Sequence, residues 1–165
     1  MNKEIVFKKG STWFLRAALI VIIAIVLALC VFGVPSIAWD VSEFIELPSL
    51  QYPIMLGAYL TVAVFFVAVA EAFRLLNYID QNNAFSAQSI KALKYITYCA
   101  VAISAAFAAG MPVMFMIAQK DDAPGLIIMG MVIVCAPLVV AAFAAVLRKL
   151  LQNAIDIKAE NDLVV

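Results

Sequence analysis

Four uninterrupted apolar stretches divide the chain, at residues 17–39, 47–70, 95–119 and 123–147, and none contains Asp, Glu, Lys or Arg. Each exceeds the roughly 20 residues that cross a hydrocarbon core of about 30 Å at 1.5 Å rise per residue. The stretches are continuously apolar and lack the in/out alternation of a membrane strand, so the pattern predicts helices. The one long polar interruption between the two middle stretches covers residues 71–98 and separates two apolar hairpins. The expected fold is all-α: a single membrane domain, a polytopic four-helix bundle over 1–165. Its spans are expected at about 17–38, 53–73, 95–118 and 125–147, with a central loop at about 74–94.

Finer signals refine these elements. Residues 35–52 read as the longer of the two outer loops, with Trp39, Phe44, Ile45 and Leu47 among its carboxylates, and Pro53 suits the first turn of the second helix. That helix should run past the lipid to about Ile79, because Ala72, Leu75, Leu76 and Ile79 keep the i, i+3, i+4, i+7 spacing. Ser86 is a fitting N-cap for the third helix, and Phe85 and Ile90 have the spacing of a hydrophobic staple. Pro112 and Pro137 each remove a backbone donor inside a span and predict kinks. The fourth helix should also outrun the lipid, with Leu147, Leu150, Leu151, Ala154 and Ile155 as a buried stripe against the end of the second helix. A polar turn is expected at Glu160, Asn161 and Asp162. The runs 75–80 and 150–156 echo one another, which suggests that the two hairpins are related about an axis along the membrane normal.

Composition agrees: 67% hydrophobic and 13% charged residues lie far from the roughly 45–50% and 25% of soluble domains. Net charge is zero, so no overall field recruits nucleic acid and direct nucleic-acid binding is not expected. Placement of charge is more informative. Lys3, Lys8, Lys9, Arg16, Arg74, Lys91, Lys94, Arg148, Lys149 and Lys158 fall on one side, and only Lys120 on the other. By the positive-inside rule both termini and the central loop are expected to be cytoplasmic in a multi-pass membrane protein. The outer face carries Asp40, Glu43, Glu46, Asp121 and Asp122. The first stretch follows several cations, as a signal peptide would, but its length favours a retained helix over a cleaved leader of about 7–15 apolar residues.

Chemistry is sparse. There is no His, and Cys30, Cys99 and Cys135 all lie in predicted spans with no metal-ligand spacing, so neither a cofactor nor a metal is expected. A nucleophile would have no neighbouring base, and no phosphate-binding glycine pattern is present, so an enzyme is not expected. Glu71 and Arg74, three residues apart at the end of the second span, form a candidate intramembrane polar site.

Several stretches carry a family resemblance: Leu75-Leu76-Asn77-Tyr78-Ile79-Asp80, Ala84-Phe85-Ser86 with Ala92-Leu93, Gly110-Met111-Pro112, the run from Lys120 to Gly125, and the ending Glu160-Asn161-Asp162-Leu163. In these the chain resembles the bacterial domain of unknown function 2975 family of small four-helix membrane proteins. Members are often encoded beside a short helix-turn-helix regulator. The resemblance therefore implies a membrane partner that binds or modulates a cytoplasmic transcription factor. Surfaces for such a partner are the loop residues Asp80, Asn82, Asn83, Phe85, Ser86 and Gln88 and the tail residues Glu160, Asn161, Asp162 and Leu163. Alternative expectations are a homo-oligomeric small-solute transporter or channel subunit, and an immunity or envelope-stress membrane protein.

Overall fold

In the computed structural model, residues 3–81 and 84–163 are described, with side chains over 13–81 and 84–160. The fold is all-helical. Helix α1, Lys3–Ala28, passes through a π-helical turn, Leu29–Gly33, into α2, Val34–Phe44; α3 is Gln51–Asp80, α4 Ala87–Lys120 and α5 Gly125–Leu163. Four helical units are long and apolar enough to cross a membrane: Trp13–Phe44, Pro48–Asp80, Ala87–Lys120 and Gly125–Glu160.

The first unit is longer than expected, because residues 35–44 are helical rather than looped. Pro35 is compatible with this because its fixed φ suits a helix and it stands at the second position of α2, directly after the π-turn. The turn proper is confined to residues 45–47 and a short 3-10 segment, Pro48–Leu50. Both turns at this end are built alike. Glu46 and Asp122 take positive φ, 62° and 51°, while Leu47 N–H bonds Ser42 O at 3.1 Å and Ala123 N–H bonds Ala118 O at 3.0 Å. Each is a Schellman cap with a carboxylate residue in the left-handed position, and each is followed by a proline that blocks further helix. The two hairpins thus share a turn design, which adds to the echo in their sequences.

Packing is serial. Among the described residues, α4 packs most extensively against α5 and then α3, while α1 and α2 pack on α3. The α4/α5 seam is close because it is lined by small side chains. On α5, Gly130, Val134, Pro137, Ala141, Ala144, Arg148, Leu151 and Ile155 recur at alternating steps of four and three, and all are buried or half-buried, the spacing of knobs-into-holes packing. At Gly130 an added Cβ would lie 2.9 Å from Met111 Sδ, so any side chain there would have to displace the end of Met111. Ser104, buried in α4, donates to Val134 O at 2.8 Å. Pro137 withholds its N–H from the same stretch of α5, and a neighbouring hydroxyl strengthens the weakened ladder there.

This register moves the expected stripe of the fourth helix. Leu147 and Leu150 are 52% and 59% exposed, while Arg148 faces the seam, and the partner helix is α4 rather than the end of α3. The end of α5 differs too: helix continues through residues 160–163 in place of the expected polar turn. Phe85 is 66% exposed, so no staple clamps it over Ile90.

The π-turn in the first unit was not anticipated. Val34 N–H bonds Leu29 O, one residue further back than in an α-helix, and Pro35 has no N–H to offer. Cys30 O therefore has no ladder donor, and Tyr59 of α3 directs its hydroxyl at it from 3.5 Å. Below this turn α1 has little protein cover: none of its most apolar window is buried.

Candidate functional site

The residues singled out in the sequence lie at one end of the molecule, around the loop between α3 and α4. Ser86 caps α4, its Oγ accepting Ser89 N–H at 3.3 Å, while its extended backbone turns the chain out of the loop. Ser89 is fully buried beneath it, with the two hydroxyls 3.2 Å apart. This anchors the loop's exit and leaves Phe85 and Gln88 facing out. Asn82 and Asn83 lie outside the described residues.

Asp80 is not free. Arg16, midway along α1 at the foot of its uncharged, spanning part, donates through Nη2 to Asp80 Oδ2 at 2.7 Å and to Asn77 Oδ1 at 2.5 Å. Asn77 and Asp80 are three residues apart on α3 and so present adjacent acceptors to one guanidinium. Arg16 Nε is buried without a partner, which marks a bond geometry chosen by the outer nitrogen. The pair fastens the otherwise exposed α1 to the start of the loop. Nothing local in the sequence could indicate it, because the partners are 64 residues apart.

Glu71 and Arg74 do meet, Nη1 to Oε1 at 2.6 Å, and the carboxylate side chain is only 13% exposed against 65% for the arginine. One partner is thus turned inward and the other outward, as expected of a pair at a membrane boundary. At the far end of the molecule, Lys120 Nζ donates to Phe44 O at 2.9 Å and Glu46 Oε1 at 3.1 Å and lies 5.9 Å from the Phe44 ring centroid. A cation on the last carbonyls of α2 is favourably placed in the helix dipole, and it ties the two hairpin turns together.

The tail residues stand apart from the loop. Every described residue from Asp156 to Glu160 is exposed, so α5 projects free; the side chains of Asn161, Asp162 and Leu163 are not described. The structure also reveals what sequence reasoning missed: an apolar groove of about 450 Å³ lined by Leu93 of α4 and Val140, Phe143, Ala144, Val146, Leu147 and Leu150 of α5. The four-and-three spacing of the α5 seam was the available signal, since it leaves Leu147 and Leu150 outside the seam. No group of three or more metal-ligating side chains occurs among the described residues.

No solved structure matches the chain. It is 51% identical over 156 residues to the Uncharacterized membrane protein YoaS of Bacillus subtilis (strain 168), covering 94% of this chain and 98% of that protein. The family described as Protein of unknown function (DUF2975) matches residues 36–165, from near the start of α2 through α3, the loop and the α4/α5 hairpin. With four spanning-length helices and this match over most of its length, the chain is a membrane protein that belongs to the DUF2975 family.

Proposed function

We propose that this protein is a non-catalytic sensor of the bacterial plasma membrane, with its loop and both termini in the cytoplasm, that binds and modulates a cytoplasmic helix-turn-helix regulator. The observation that carries this reading is the exposure of large apolar side chains at the loop end, beyond the last spanning residues. Phe85 is 66% exposed, Leu150 59% and Ile157 62%. Within lipid such exposure is ordinary, but in water it marks a surface for another protein. The expected partner surface comprises Asp80, Asn82, Asn83, Ser86 and Gln88 with Phe85 in the loop, and Glu160, Asn161, Asp162 and Leu163 in the tail; of these, Phe85, Gln88 and Glu160 are exposed. The ten-to-one division of Lys and Arg supports a cytoplasmic location for that end. The regulator itself is suggested by the family resemblance, and the protein would reach DNA only through it.

A photoreactive residue at Gln88 tests the proposal in cells. Capture of a DNA-binding protein, reduced by Phe85→Ala, is the expected result. Capture of this protein or other membrane subunits alone would overturn it. A second reading, a small-solute transporter or channel subunit, draws support from the inward-facing Glu71. It expects solute flux in proteoliposomes that Glu71→Gln alters.

A further inference from the structure

The cations from Arg16 to Lys149 fall into two groups. Arg16, Arg74 and Lys120 are each in an ion pair, with Asp80, Glu71 and Glu46. Lys91, Lys94, Arg148 and Lys149, at the loop end of the α4/α5 hairpin, are in none among the described residues. The sequence gives them no local partner, because residues 81–120 and 123–155 contain neither Asp nor Glu. Two of the four are arranged on one face. Lys91, Lys94, Tyr95 and Tyr98 follow the i, i+3, i+4, i+7 spacing of a single helix face and all are exposed, Tyr95 by 55% and Tyr98 by 59%. Lys94 Nζ lies 5.7 Å from the Tyr98 ring centroid. Buried Ala92, Leu93 and Ala100 occupy the opposite face.

Depth identifies what such a face meets. The uncharged run of α4 begins at Tyr95, so the two ammonium groups sit at the level of lipid phosphates and the phenols at the level of the glycerol esters. Further along the same face come Ala102, Ala105 and Ala109, all exposed, a shallow surface against which an acyl chain can lie. We infer that this face of α4 is a binding site for an anionic phospholipid, the lysines holding its phosphate and the tyrosine hydroxyls its glycerol esters. A soluble polyanion would not reach tyrosines seated at this depth, and unpaired cations at an anionic membrane surface contribute favourably to lipid binding. The inference stands independently of any cytoplasmic partner.

Native mass spectrometry of the intact protein with an equimolar mixture of phosphatidylglycerol and phosphatidylcholine of identical chains tests it. Preferential retention of phosphatidylglycerol is expected. Lys91→Gln with Lys94→Gln should reduce that preference on the order of tenfold, Lys91→Arg with Lys94→Arg should keep it, and Lys158→Gln should leave it unchanged. Equal retention of the two lipids, or an equal loss in Lys158→Gln, would overturn the inference. So would displacement of phosphatidylglycerol by millimolar inorganic phosphate, which would make the site one for the free anion.

Discussion

Single positions in this protein are decided by how closely two backbones approach and by whether each carbonyl has a donor. Gly130 is the sharpest case, because its missing Cβ leaves room for Met111. Gly130→Leu should force the α4/α5 seam apart and cost about 1–3 kcal/mol, the usual penalty of overpacking. Gly130→Ala should cost less, since the flexible Met111 side chain can move, and thermal unfolding in detergent would rank the two. Tyr59 serves the Cys30 carbonyl that Pro35 leaves short of a donor, and Ser104 bonds Val134 O, next to the Ile133 carbonyl whose donor Pro137 removes. Ser104→Ala should cost about 0.6 kcal/mol, typical of an interhelical hydrogen bond in lipid, and Tyr59→Phe less, because its contact is long at 3.5 Å. Asp122 strains the other way: at φ 51°, Asp122→Gly should stabilise by up to about 1 kcal/mol and Asp122→Val should destabilise.

Among the elements, α1 is the one held least by packing and most by its ends. The π-turn and Tyr59 hold its upper limit, and Arg16 on Asp80 and Asn77 holds its foot. Ion pairs that are about one third exposed contribute roughly 0.2–1 kcal/mol, so Asp80→Asn should leave global stability nearly unchanged. It should nevertheless release the foot of α1. Spin labels at Trp13 and Gln81 should report a narrow distance distribution in the native protein and a broad one in Asp80→Asn; identical distributions would show that packing, not the ion pair, places α1. Legibility from sequence divides along the same line. The number and apolar character of α3, α4 and α5 could be read from run length, and their extension past the lipid from helical spacing, but not the helical end of α5. The π-turn and the Arg16 contact could not, because one depends on which carbonyl Val34 selects and the other on a pairing across 64 residues.

At the scale of the whole molecule, serial packing leaves the two hairpins joined by the α3/α4 contact and by Lys120, which reaches from α4 to the end of α2. Lys120→Met should uncouple the two turns at that end, with faster proteolytic cleavage at residues 45–50 as the readout. The proposed orientation is checked by single cysteines introduced in a variant lacking Cys30, Cys99 and Cys135. A cysteine at Ser49 should react with an impermeant maleimide in intact cells, and one at Gln88 only after lysis. The opposite labelling would place the loop outside and remove the basis for a cytoplasmic partner.

The sequence by itself determined that this is a helical membrane protein with four spanning-length segments, because crossing lipid requires long uncharged runs and internally satisfied backbone. Local chemistry likewise determined the Ser86 cap and the Glu71/Arg74 pair, whose partners lie three residues apart. Tertiary structure decided which face of each helix is covered. Almost every face of an apolar helix is hydrophobic, so hydropathy does not distinguish a protein-facing stripe from a lipid-facing one. Small residues and close approach make that choice instead: Gly130, Ala141 and Ala144 take the seam and turn Leu147 and Leu150 outward, and no count of apolar residues could have assigned them there.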